Sequence, residues 1–200
     1  MALEHAILVS LSERSGSGYE LARRFEKSIG LFWSATHQQI YRVLKRMEEA
    51  GWVGVDVVAQ DGRPDKKVYT VGSAGQSELR RWLAEPDPSS SPQELAVKIR
   101  GASFGDARAV AEEIGRHRDG HAERLDAYRQ IEKRDFPAPA ELSGQALHQY
   151  LVLRGGVRAE EGQVEWFEEV LAALNPAGSG RAAPAKPAEK TVSHHDKDPS

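Results

Sequence analysis

The chain has 200 residues, 40% hydrophobic and 28% charged, with a net charge of −3 and no cysteine. That composition belongs to a globular protein able to bury a core, and the missing thiols exclude disulfides, zinc–thiolate fingers and cysteine nucleophiles. No stretch approaches the roughly 18 consecutive apolar residues of a membrane span, and the opening MALEHAILVSLSERSG lacks the basic region of a secretion signal, so a cytoplasmic protein is expected.

The charge is uneven along the chain. Residues 1–84 carry 12 Lys and Arg against 10 Asp and Glu, a net of +2, whereas residues 85–175 carry 11 against 17, a net of −6. The N-terminal part is the better match for a polyanion, a weak signal until a motif gives it meaning.

Leu3, Ile7, Leu8 and Leu11 recur at helical spacing and predict a first helix over Leu3 to Leu11 with one apolar stripe. Ser17-Gly18-Tyr19-Glu20 has the form of a capping box, in which hydroxyl and carboxylate satisfy the free amides of a helix start. The second helix follows, with Leu21, Ala22, Phe25 and Ile29 inward and Gly30 as its C-cap. Thr36-His37-Gln38-Gln39 is a second box and opens a third helix running to about Gly51.

Residues 52–71 change period. Val53, Val55 and Val57 alternate, Val68 to Val71 form a second β-prone run, and Gln60 to Asp65 between them contains Asp-Gly and Pro, which predicts a β-hairpin with a polar tip. Ser73-Ala74-Gly75-Gln76 matches a third box and begins a helix through Leu79, Trp82 and Leu83. The Pro/Ser-rich stretch Glu85 to Pro92 then reads as a linker.

Beyond it, residues 94–101, 105–134 and 143–174 read as helices interrupted by Pro137 and Pro139. Their apolar residues include Leu125, Tyr128, Ile131, Leu147, Leu151, Val164, Phe167, Val170 and Leu171, more than so thin a unit buries alone. A long amphipathic arm of this kind covers its stripe against a second copy; the alternative is a three-helix subdomain folded back on the N-terminal part. From Pro176 the chain is rich in Ala, Pro, Gly, Ser and Lys without periodicity and should be disordered.

The expected fold is thus mainly α: an N-terminal winged helix-turn-helix with a two-stranded β-wing (residues 1–84), a linker (85–93), a C-terminal helical dimerisation arm (94–175) and a tail (176–200). Helix, short connection, helix and hairpin is the order in which the second helix of the pair enters the major groove. At 100° per residue, Ile40, Val43, Leu44 and Met47 share one face of the third helix, while Gln38, Arg42 and Lys45 share the other, flanked by Tyr41 and Arg46. An apolar back that holds the helix and a front of long donors suit base and phosphate contact; Gln pairs with adenine, Arg or Lys with guanine. The residues expected on double-stranded DNA are Gln38, Gln39, Tyr41, Arg42, Lys45 and Arg46 of this helix and Arg63, Lys66 and Lys67 of the wing. The same fold could also serve as a protein-interaction module without base readout.

Other chemistries are poorly specified. Glu113, His117 and His121 are spaced along one helix face, but no further metal ligand is defined, and the pair His194-His195 lies in the tail. Gly101-Ala102-Ser103-Phe104-Gly105 fits the letters of a nucleophile elbow but follows a helix instead of a strand, and no phosphate-binding glycine loop occurs. No catalysis, cofactor or bound metal is expected.

Residues 3–84 resemble the PadR family of bacterial regulators. The resemblance rests on LEHAILVSL, on Gln39-Ile40-Tyr41 followed by Leu44-Lys45-Arg46-Met47-Glu48 and Gly51, and on Gly62-Arg63-Pro64 with Lys67-Val68-Tyr69-Thr70. Arg42 departs from the family's frequent proline after the Tyr. The region ending in Trp166-Phe167 through Leu174 is similar, more loosely, to the longer dimerisation region of one branch. The resemblance implies a homodimer that reads a pseudo-palindrome, usually as a repressor, and in some relatives releases DNA on binding a small aromatic effector. Trp33, Trp82, Phe104, Tyr128, Tyr150 and Trp166 are the aromatics from which such a pocket could be built, although aromatics at helical spacing more often fill cores.

Overall fold

The computed structural model describes residues 2–27, 35–59 and 65–174. Their elements are α1 (Ala2–Glu13), α2 (Gly18–Lys27), α3 (His37–Glu49), β1 (Val53–Val58), β2 (Lys66–Val71), α4 (Ser73–Ala84), α5 (Pro92–Gly101), α6 (Ala107–Asp135) and α7 (Gly144–Leu174), with 3₁₀ turns at Ala102–Phe104 and Pro139–Glu141. The expected Ile29, Gly30, hairpin tip and C-terminal tail lie outside the described residues.

Local chemistry accounts for the helix starts. Glu20 accepts from the Ser17 amide at 2.8 Å while the Glu20 amide donates to Ser17 Oγ at 3.3 Å. At α3 the Thr36 amide donates to Gln39 Oε1 at 2.8 Å and the Gln39 amide to Thr36 Oγ1 at 3.2 Å. Gly51, with φ of 70°, then ends the helix in the left-handed region that favours glycine.

The third expected box does not form. Gly72 caps α4 without a side chain, and Ser73 is already helical. The Gly72 amide donates to the Trp52 carbonyl at 2.9 Å, and a Cβ on Gly75 would come within 2.2 Å of that oxygen. Backbone contact with residue 52 positions this start, so Ser73 has no capping role to fill. A box not anticipated does form at α5, between Ser91 and Glu94 with Pro92 in the first turn, and moves that start two residues earlier than expected.

The two strands pair antiparallel, from Val53 opposite Val71 to Val58 opposite Lys66. Gly16 exchanges backbone hydrogen bonds with Tyr69 at 3.2 and 2.9 Å, which fastens the α1–α2 turn to β2. The hairpin is thereby held beside the start of α2.

Helix α1 is the centre of the core. Ala6, Ile7, Leu8 and Val9 are each fully buried, so the helix is covered on all sides instead of along the expected single stripe. It packs against α2, α3, α4, α5 and β2. Each such aliphatic side chain contributes roughly 1.5–3 kcal/mol of hydrophobic stabilisation. Leu95, Val97, Ala102, Val110, Ile114 and Phe167 join the same cluster, so α5, the start of α6 and the end of α7 are seated on the N-terminal unit.

Helices α6 and α7 form an antiparallel hairpin. Arg124 pairs with Glu160 at 3.3 Å, Arg129 with Glu161 at 3.0 Å and Arg154 with Glu132 at 3.2 Å, and Phe136 meets Tyr150 near the far end. Leu125, Val157 and Phe167 are buried in its seam. With 29 residues α6 is about 43 Å long, so its distal half projects well beyond the core.

Candidate nucleic-acid interface

Helix α3 is docked by Ile40, Val43, Leu44 and Met47, all buried, and turns Gln38, Gln39, Tyr41, Arg42, Lys45 and Arg46 outward. These six are not equivalent. The Gln39 carbonyl oxygen is held in the Thr36 capping box, and Arg46 reaches 2.7 Å to Glu4 of α1, which ties the helix flank to the core. Lys45 lies 3.9 Å from Glu49 one turn on. Arg42 makes no ion pair among the described residues, and with Gln38 it forms the unengaged part of the front.

The wing residues extend this front. Lys66 donates to Glu20 of α2 at 2.8 Å, and Lys67 stands 3.9 Å from Glu48 of α3; Arg63 lies outside the described residues. A groove lined by Ser17, Gly18, Tyr19, Tyr41, Lys66 and Lys67 runs between α2, α3 and β2. The structure therefore brings Tyr41, Lys66 and Lys67 together. Gly18 makes the approach possible: a Cβ there would stand 2.4 Å from the Tyr41 ring.

Glu20 has a second role that its capping motif did not disclose. Its hydrogen bond from Lys66, followed by that from the Ser17 amide, holds its pKa at about 2 against an ordinary 4.5. Behind it, burial lowers the Arg24 pKa and raises that of Tyr69. Arg24 donates to the Ser10 carbonyl at 2.9 Å and also to that of Arg14, closing the C-terminal end of α1.

Comparison with known proteins gives the family. Residues 7–81 match the transcriptional regulator PadR-like family, and residues 93–175 match the virulence activator alpha C-terminal region. A probable transcriptional regulator of Mycobacterium tuberculosis is 55% identical over 87% of this chain and 98% of its own length. The negative transcriptional regulator PadR of Bacillus subtilis is 31% identical over 86% of this chain and 97% of its own. The chain belongs to the PadR-like family of transcriptional regulators. Bacillus subtilis PadR has been solved with operator DNA (28% identity, 88% of this chain and all of that one, TM-score 0.43) and with p-coumaric acid (28%, 87% and 99%, TM-score 0.39).

For a PadR-like regulator the aromatic residues are of interest, and the described ones make separate contacts. Phe104 packs against the core, Tyr128 lies on Gly156, Tyr150 on Phe136 and Trp166 on Phe167, while Trp33 is outside the described residues. Among the described residues, Trp82 lines a cavity of 390 Å³ at the junction of α1, α4 and α5, with Trp52, His5, Arg81 and Lys98. The His5 ring stacks on Trp82 at 4.4 Å and bonds to Glu78 at 2.9 Å; Trp52 was the aromatic that sequence reasoning passed over.

The regulator is not an enzyme, and the letters of the elbow motif have a packing explanation. A Cβ on Gly101 or Gly105 would come within 2.8 Å of Val9 or Leu83, so both glycines permit close approach to α1 and α4. Glu113 is bonded to Lys98, and His121 to Glu160. Among the described residues no group of three His, Asp or Glu could hold a metal ion, and no helix is long and apolar enough to cross a membrane.

Proposed function

We propose that this regulator is a sequence-specific repressor that binds a pseudo-palindromic operator as a homodimer. Helix α3 carries the reading: its apolar back is fully docked, and its front presents Gln38, Arg42 and Lys45 beside Tyr41, Lys66 and Lys67. Arg42 and Gln38 read bases; Tyr41, Lys45, Lys66, Lys67 and Arg63 hold phosphates; Gln39 and Arg46 chiefly position the helix. Residues 1–84 form the DNA-binding unit, 85–93 the linker and 94–175 the dimerisation arm.

The arm supports the dimer. Leu151 and Val152 of α7 are 57% and 78% exposed, and Gly155 and Ala159 beside them leave room for close approach by a second helix. Operator half-sites about 34–36 Å apart are expected. Repression and operator binding are named for the Bacillus subtilis relative, as is a complex with p-coumaric acid. We extend the last to this chain through the Trp52–Trp82 cavity, whose size falls in the usual range for small ligands and whose two indole rings suit an aromatic one.

The test is a gel-shift titration on DNA upstream of the protein's own coding region, with non-specific competitor. Wild type should give a competitor-resistant shift; Arg42→Ala with Lys45→Ala should abolish it while light scattering still reports a dimer. An undiminished shift would remove α3 from the interface and favour a protein-interaction role. Adding p-coumaric acid should quench tryptophan fluorescence and release the DNA.

A further inference from the structure

A second basic groove lies next to the one that holds Tyr41. It encloses about 510 Å³ between the α1–α2 turn, α2 and β2, and is lined by Arg14, Tyr19, Arg23, Arg24, Lys27 and Lys66 with Glu20 as its carboxylate. The two grooves share Tyr19, Glu20 and Lys66, so they are continuous on either side of the Glu20–Lys66 pair. None of Arg14, Tyr19, Arg23 or Lys27 is part of α3 or the wing.

The state of the charges is informative. Lys45, Arg46, Lys66 and Lys67 each have a carboxylate within 4 Å. Arg14, Arg23 and Lys27 are exposed and make no ion pair among the described residues. Cations left without internal partners along one continuous groove are suited to an external polyanion, and Tyr19, 57% exposed, adds a hydroxyl donor. In a helix-turn-helix the first helix of the pair crosses the DNA backbone while the second enters the groove.

We infer that Arg14, Tyr19, Arg23 and Lys27 form a second backbone-holding tract, which engages the phosphates of the DNA strand flanking the segment read by α3. The inference rests on the DNA-binding reading above. Its hydrogen bonds and ion pairs go to phosphate alone, so they add affinity and fix orientation without selecting sequence.

The experiment measures affinity against salt for the full-length protein on two probes: a duplex selected by the protein from a random pool and a mixed-sequence duplex. Removing one cation from a phosphate should lower the slope of log affinity against log salt by about 0.9, so the variant carrying Arg14→Ala, Arg23→Ala and Lys27→Ala, which removes three cations from each protomer of the bound homodimer, should show a slope smaller by about 5. Both probes should weaken by the same factor, leaving their ratio unchanged, and Arg23→Lys should restore that residue's share. Circular dichroism and melting confirm that these exposed substitutions leave the fold intact. Arg42→Ala runs in parallel and should lower the ratio. If Arg42→Ala lowers it while the triple variant keeps the wild-type slope, the second tract is refuted and the α3 reading stands; if wild type shows no salt-dependent binding, both fall together.

Discussion

Lys98 Nζ lies 2.6 Å from the Glu113 carboxylate, and both side chains are almost wholly buried, at 1% and 2% exposure. The pair joins α5 to α6, and its remaining bonding capacity is spent on the linker. Lys98 also donates to the Glu85 carbonyl at 2.7 Å, and Glu113 accepts from the Asp87 amide and Ser90 hydroxyl at 3.2 Å each. The segment between the winged unit and the arm is thus bonded to a buried charge pair.

Breaking that pair from one side should be severe. Glu113→Ala leaves an uncompensated ammonium in the interior and should cost roughly 3–5 kcal/mol, whereas Lys98→Met with Glu113→Leu should recover much of it. Denaturant unfolding of both variants checks this. A Glu113→Ala cost below about 1 kcal/mol, the range of an exposed pair, would show that the charges are not buried together in solution.

Gly18 and Tyr41 supply a test at the interface. Gly18→Ala places a methyl 2.4 Å from the Tyr41 ring, which is half-exposed and free to swing away. Alanine suits a helix better than glycine, so stability should hold or rise slightly, by up to about 1 kcal/mol, while DNA affinity falls. In a Tyr41→Ala background Gly18→Ala should have no further effect on affinity. Equal reductions in both backgrounds would mean that Gly18 acts without Tyr41.

These relationships separate what the sequence discloses from what it conceals. The boxes at Ser17–Glu20 and Thr36–Gln39, the hairpin and the two faces of α3 were legible because each depends on residues within a few positions of one another. Ser73 misled because α4 begins against the backbone of Trp52, a contact no local pattern encodes. The complete burial of α1 depends on α5, about ninety residues further along the chain, so only its strongest stripe was visible. Gln39 and Arg46 looked like the other donors of α3 until Thr36 and Glu4 were placed beside them.

Acid should loosen the wing and the α4 face. Glu20 and Glu78 both have pKa values of about 2 against an ordinary 4.5, the first chiefly through Lys66 and the second chiefly through Arg81. A carboxylate depressed in the folded state contributes stability that is fully present above its ordinary pKa and is lost as pH falls from there through the folded value, here from 4.5 towards 2. Melting temperature should fall across that window, and Glu78→Gln should flatten the profile while lowering its neutral plateau. A profile unchanged by this substitution would remove Glu78 from the acid response.

Gly75 should tolerate no side chain. Its Cα faces the Trp52 carbonyl so closely that an added Cβ would stand 2.2 Å from the oxygen and 3.1 Å from Leu8. Neither neighbour can yield cheaply: the carbonyl accepts the Gly72 amide that starts α4, and Leu8 is fully buried in α1. Gly75→Ala, which would stabilise an isolated helix, should therefore destabilise this protein by about 1–3 kcal/mol through overpacking. Because Trp52 and Trp82 both line the cavity beside this helix start, the same variant should alter tryptophan emission and weaken the aromatic-ligand binding proposed for it. Wild-type stability in Gly75→Ala would mean that α4 sits further from Trp52 than this geometry places it, and would withdraw the cavity between them as the effector site.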